Sequence, residues 1–181
     1  TCIGASAMEL GAFTVFLYMI KAREWIWELV EEVTGARLTI SYGRVGGVKA
    51  DLPPDFAQRT QKALEDVRRT LLECDTLLTR NRIFVDRMQG TGVISAEEAI
   101  SYGITGPFLR STGVGYDVRK AQPYFVYDRM RFDVPSGRHG DNYDRYLVRM
   151  EEMEQSMRIV EQALEQIPSG PIQVDFEGQP L

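Results

Sequence analysis

Twelve residues between two long helix-patterned segments, Tyr42-Gly43-Arg44-Val45-Gly46-Gly47-Val48-Lys49-Ala50-Asp51-Leu52-Pro53, do most to limit the folds open to this chain. The paired glycines Gly46 and Gly47 permit backbone angles and close approaches that a side chain would block. Pro53-Pro54 then stops one chain direction and presets the next. Arg44, just ahead of the glycines, puts a fixed cation on a rigid corner. Taken alone, the stretch is an elbow between helices.

The segments on either side read as helix. Residues 1–20 carry one charged side chain, Glu9, among Ile3, Met8, Leu10, Phe13, Phe16, Leu17 and Ile20. The length meets the criterion for a membrane span, but a carboxylate near the middle is costly in lipid. Small residues (Gly4, Ala5, Ser6, Ala7, Gly11, Ala12) suit close packing against other helices. The pattern also runs straight into a charged amphipathic continuation, Lys21 to Glu32. One helix over 1–35, buried in protein and ended by Gly35, is the expectation. After the elbow (36–53), residues 54–88 form a second helix. Phe56, Thr60, Ala63, Val67, Leu71, Cys74 and Leu78 make its apolar stripe, with Glu65 and Arg69 as an i,i+4 pair on the wet side. At ~1.5 Å per residue it would be about 50 Å long and would need partners along its length.

Seven glycines and three prolines break residues 89–139 into short pieces. Ser95-Ala96-Glu97-Glu98 announces a short helix by its capping box. Tyr124–Tyr127 and Arg131–Val134 read as short strands. A third long helix, 141–167, takes its cap from Asp141 or Asn142. Its inward face is Tyr143, Tyr146, Leu147, Met150, Met153, Met157, Val160 and Leu164, while Glu151, Glu152 and Glu154 read as a solvated face. Residues 168–181 follow as an extended tail. The expected fold is therefore mainly α: a single domain over 1–181, three long helices in a bundle with an irregular glycine-rich insert containing short strands.

Composition excludes several chemistries. A net charge of −5 argues against a nucleic-acid binder. Two cysteines, Cys2 and Cys74, cannot hold a four-thiolate cluster, and the single histidine, His139, makes a self-contained zinc site a poor fit. No metal site is expected. The lack of an initiator Met and of a cleavage-type signal leads to the expectation of an internal piece of a longer protein. Gly90-Thr91-Gly92 begins a dinucleotide fingerprint, but Ser95 stands at the third glycine position and no βαβ unit surrounds it. Ser111 and Thr112 lack a nucleophile-elbow context. His139 fits a loop or cap better than a proton carrier.

Glu9 is the most informative single residue, and two readings of it stay open. It can close a capping box with Ser6. Alternatively, a carboxylate buried among apolar side chains has a raised pKa and is poised for proton transfer.

Several motifs occur in order: Ala7-Met8-Glu9-Leu10-Gly11-Ala12, Gly35-Ala36-Arg37-Leu38, the elbow, Gly103-Ile104-Thr105-Gly106-Pro107, Gly113 to Lys120, Pro123-Tyr124, Gly140 to Tyr146, and Gln155 to Val160. Together they closely resemble the D subunits of the proton-pumping NADH:quinone oxidoreductases, respiratory complex I, the homologues of the mitochondrial 49-kilodalton subunit. The resemblance covers essentially the whole chain.

It implies a mainly helical subunit, related to the large subunit of nickel–iron hydrogenases, in the peripheral arm on the cytoplasmic side of the bacterial inner membrane. With a neighbouring subunit that carries the terminal tetranuclear iron–sulfur cluster, such a subunit forms the pocket where quinone is reduced, coupling electron transfer to proton translocation. NADH binds to another subunit, and this chain would bind no cofactor of its own. The family's quinone-contacting tyrosine and histidine would lie upstream of Thr1. Glu9 falls where the family usually has an aspartate implicated in proton delivery to quinone. Arg44, with Gly46 and Gly47, falls close to the neighbour's cluster. Two departures stand out: Thr39 replaces a histidine found beside the cluster in many members, and Asn142 replaces a cysteine. For the chain alone, the resemblance leaves a helical assembly module without turnover, which self-associates through residues 1–20.

Overall fold

In the computed structural model, which describes residues 1–174, the apolar first segment doubles back on itself. It forms two helices, α1 (Cys2–Glu9) and α2 (Phe13–Thr34), not the one expected over 1–35. Gly11 takes φ +95°, and the Gly11 and Ala12 N–H groups donate to the Met8 and Ala7 carbonyls, closing the turn. The small residues do pack closely, but against the second half of their own segment. A Cβ on Gly4 would lie 3.0 Å from the Met19 Cβ. Ile3, Ala7, Val15 and Met19 are buried in this contact, while Phe13 and Leu17 stay exposed. Gly35 ends α2 in the left-handed conformation, as its position in sequence predicts. Among the described residues no helix is long and apolar enough to cross a membrane.

The elbow holds a minimal antiparallel pair, β1 (Gly43–Arg44) and β2 (Gly47–Val48), with Gly43 opposite Val48 and Arg44 opposite Gly47. The second long segment is also two helices, α3 (Phe56–Leu78) and α4 (Arg82–Met88). Asn81 makes the break: its extended backbone and side-chain oxygen cap α4, accepting from the Ile83 and Phe84 N–H groups at 3.0 and 3.3 Å. The predicted stripe of α3 is largely the buried one, with Leu71, Cys74 and Leu78 at its heart. The predicted Glu65–Arg69 pair does not form; Arg69 pairs with Asp66 one turn back.

The insert contributes α5 (Ala96–Ser101), α6 (Gly106–Arg110), α7 (Val118–Ala121) and a 3₁₀ turn at Tyr127–Arg129. The Ser95–Glu98 capping box is present in full. The two strands expected at 124–127 and 131–134 do not form. Alternation at 130–133 is real, with Met130 and Phe132 buried and Arg131 and Asp133 exposed. Its backbone partners, however, are glutamine side chains of α8 (Asn142–Gln166). Gln162 brackets Arg131, accepting from its N–H at 2.7 Å and donating to its carbonyl at 2.8 Å, and Gln155 accepts from the Asp133 N–H at 2.9 Å. A ladder needs a second strand; two amides on a helix replace it here.

Helix α3 packs on both α2 and α8. The core runs through this contact: Leu64, Leu71, Cys74 and Leu78 of α3 meet Val15 and Met19 of α2 and Tyr146 and Met157 of α8. The methionine stripe of α8 is thus core, although Leu147 and Val160 at its margins are partly exposed. The tail through Val174 is free of helix, bending at Gly170 and Ile172 before it bridges Gly47 at Gln173; the expectation for 175–181 lies outside the described residues.

Candidate functional site

Glu9 is the last residue of α1, on the lip of the Gly11 turn, and it is exposed in this chain. Both sequence readings need correcting. Ser6 is inside α1 and caps nothing, because the helix begins four residues earlier. The apolar surroundings expected for Glu9 lie beside it, not around it. Leu10, Gly11, Phe13, Leu77 and Ile83 line a cleft of ≈ 370 Å³. Arg87 of α4 pins the turn by donating to the Leu10 carbonyl at 2.9 Å. Glu9 thus stands one residue ahead of the first residue lining this largely apolar cleft, on a turn that Arg87 pins.

Arg44 sits on the β1–β2 hairpin and is exposed. Its Nη1 donates to neutral oxygens only: the Ser41 carbonyl at 3.0 Å, the Ser41 hydroxyl at 3.1 Å and the Gly43 carbonyl at 2.9 Å. The cation is thus oriented by its own loop, with no carboxylate bridged to it among the described residues. Gly46 turns the hairpin at φ +80°. Gly47 meets the requirement for close approach in an unexpected way. The chain's own tail bridges it at Gln173, and a Cβ there would fall 2.1 Å from the Ile172 carbonyl oxygen. Thr39 is exposed on the way into the hairpin.

The structure does not bring Glu9 and Arg44 together. Glu9 lies at the N-terminal end of α2, whereas the hairpin sits by its C-terminal end, where Lys49 reaches the Thr34 carbonyl. The 22 residues of α2 span about 33 Å between them.

Two polar clusters are built on α8, of which only the Asp141 cap is expected from the sequence. At its N-terminus, Asp141 caps the helix by accepting from the Asp144 N–H and also accepts from the Gly90 N–H. Asp144 is buried and accepts from the Arg138 and His139 N–H groups. Burial pushes its carboxyl up, but those donors and the His139 ring outweigh it, so the net position is below the usual carboxylate range. His139, mostly exposed, has the loop role expected of it. Asn142 bridges Thr91 and Arg145 through its amide.

Farther along α8, Glu152 leaves the solvated face predicted for it and pairs with the buried Arg110 of α6. Arg110 also donates to the Tyr116 carbonyl at 2.9 Å and faces Asp117. Arg119 grips Asp117 and, with its partial burial opposing, holds that carboxyl below its ordinary value. Glu154 likewise bridges to Arg68 of α3. These pairs lock the insert and α3 onto α8. Only the motif runs around Gly113–Lys120 and Gly140–Tyr146 point to these places, and a pattern of charges cannot say which partners they meet.

A family model described as the respiratory-chain NADH dehydrogenase 49 Kd subunit matches residues 9–179. The chain is 58% identical over 175 residues to the D subunit of the NADH-quinone oxidoreductase of Myxococcus xanthus (strain DK1622), covering 97% of this chain and 42% of that relative. It is 55% identical over 175 residues to a D subunit of the same kind from Sorangium cellulosum (strain So ce56), covering 96% and 43%. With the corresponding NADH-quinone oxidoreductase subunit of Methylacidiphilum infernorum (isolate V4) it shares 52% identity over 173 residues, covering 96% and 41%. The chain spans about two fifths of the length of these curated relatives.

Proposed function

The chain belongs to the 49-kilodalton subunit family of respiratory-chain NADH dehydrogenases, and from that premise we propose that it forms part of the wall of a quinone-reduction pocket in a proton-translocating NADH:quinone oxidoreductase. The observation that carries this reading is the carboxylate of Glu9 on a pinned turn beside an apolar cleft. Quinones are apolar rings whose oxygens gain charge on reduction, so an apolar wall with one acid at its edge suits them. Glu9 holds a proton and passes it towards such an oxygen. Its exposure here is relieved in the assembled complex, where the rest of the subunit and its neighbours cover the turn.

Arg44 has a separate role at the far end of α2. Its oriented cation supports a tetranuclear iron–sulfur cluster bound by the neighbouring subunit, favouring the more negative reduced state. Neither thiol of this chain suits such a cluster: Cys74 is fully buried and Cys2 lies apart on an exposed helix end. The family resemblance assigns the cluster to the neighbour. NADH is oxidised on another subunit, and the complex sits with this arm on the cytoplasmic side of the bacterial inner membrane. The 181 residues act as one domain, and α2, α3 and α8 form a bundle akin to that of the nickel–iron hydrogenase large subunits.

A second reading applies to the chain by itself. Phe13, Leu17, Leu38, Ile40 and Val45 are exposed, which fits an assembly module whose faces await other subunits. Alone it is inactive and self-associates through the face of residues 1–20.

The test is made in the assembled complex. Arg44→Met is expected to lower the midpoint potential of the terminal cluster, and Glu9→Gln to depress quinone reduction while electron entry from NADH continues. A cluster potential and a quinone turnover both equal to the wild type's would remove the proposed roles.

A further inference from the structure

We propose that the open pocket between α1, α4, α6 and the first half of α8 is a binding site for a small amphipathic carboxylate, its headgroup on Arg149 beside the Arg145 charge and its alkyl body against Ile3, Phe84 and Met88. The cavity has a volume of ≈ 470 Å³, within the usual range for small-molecule sites. It is separate from the cleft beside Glu9 and from the elbow.

The pocket holds a buried cation without a counter-charge. Arg145 is only 7% exposed. Its terminal nitrogens bind neutral acceptors: the Asn142 side-chain oxygen at 2.6 Å, the Gly92 carbonyl at 2.6 Å and the Gly140 carbonyl at 2.7 Å. Its Nε is buried with no hydrogen-bond partner among the described residues. The guanidinium stacks on Phe108, 4.0 Å from the ring centre. Arg149, one turn on, donates to the Arg145 carbonyl. Neither arginine has a carboxylate within salt-bridge distance among the described residues. The adjacent carboxyl, Asp141, is occupied by the Gly90 and Asp144 N–H groups.

Burying a cation without a counter-charge is expensive, and a second cation alongside raises the cost. Burial does pull Arg145 below its ordinary value, and Arg149 pulls the same way against Asp141. An anion in the cavity relieves both. Arg149, with only one nitrogen engaged, keeps a guanidinium fork that matches a carboxylate in two parallel bonds, and the remaining walls are mostly apolar and aromatic, with Ser6 and Asn142 among them. One charged head and an apolar stem are what such a lining selects.

Decanoate is the probe, used below its micellar range on the assembled complex, with the cysteines of this chain followed one by one by peptide mass spectrometry. Cys2 lies on the cavity wall and is exposed. Cys74 is fully buried, its thiol pushed up to about 11 by burial and then by Glu73. Within this chain, at about pH 8, iodoacetamide therefore reports on Cys2 alone. Decanoate is expected to slow Cys2 alkylation saturably, and decanol at equal concentration to leave it unchanged. Arg149→Gln, which removes a single hydrogen bond, should weaken decanoate protection about tenfold or more, with an unchanged circular dichroism spectrum. Equal protection by decanol, no protection by decanoate, or an unshifted midpoint in Arg149→Gln would each overturn the assignment.

Discussion

Gly47 and Gln173 lie so close that no side chain fits between them. A Cβ on Gly47 would stand 2.7 Å from the Gln173 Cα as well as against the Ile172 carbonyl. The tail is held there by the Val48 N–H on the Ile172 carbonyl at 3.0 Å and the Val174 N–H on the Gly46 carbonyl at 2.9 Å. The elbow is therefore a docking strip for the chain's own tail.

Gly47→Ala is expected to detach that tail. Hydrogen exchange at the Val48 and Val174 amides should accelerate about tenfold or more, while the α3 core keeps its protection. Gly43→Ala, where an added Cβ meets nothing within 4 Å, should leave both amides slow. Equal exchange in the two variants would contradict the packing described here.

Asp144 makes stability depend on acid pH. Its folded pKa lies below the unfolded value of about 3.9. Its contribution is thus fully present above about pH 4 and is lost as pH falls through the lower folded pKa. Asp144→Asn removes charge from an acceptor of two backbone N–H groups, which should cost about 1–2 kcal/mol at neutral pH. In urea titrations the gap between variant and wild type should narrow as pH falls through the lowered folded pKa.

Arg110 and Glu152 test the lock between insert and bundle. Arg110→Met leaves Glu152 without its partner and Asp117 with less counter-charge, at an expected cost of about 3 kcal/mol. Arg110→Met with Glu152→Leu should recover part of that loss, since no carboxylate is then stranded. Costs of the two single variants that simply add in the double variant would show that the two residues do not act as a pair.

The legible parts of this molecule are those set by local rules. Gly35, Ser95–Glu98 and Asp141 mark helix ends because one residue's geometry decides each. The three- and four-residue spacing of α3 finds the core because helical periodicity is a backbone property. What escapes depends on partners distant in sequence. Gly11 suits a packing position in one helix as well as a turn between two, and only the fit of Gly4 against Met19 selects the turn. The alternation at 130–133 signals one buried face but cannot say that Gln155 and Gln162 will take its hydrogen bonds. Glu9 stands out by its isolation among apolar residues, yet that isolation does not reveal that the apolar group forms a cleft next to it.

The ratio of quinone reduction to ferricyanide reduction in the assembled complex tests the central claim most directly, because ferricyanide takes electrons without needing the quinone pocket. Glu9→Gln should lower that ratio about tenfold or more, as loss of a positioned proton donor does, and Glu9→Asp should restore most of it. A Glu9→Gln complex with the wild-type ratio would contradict the assignment of this carboxylate to proton delivery.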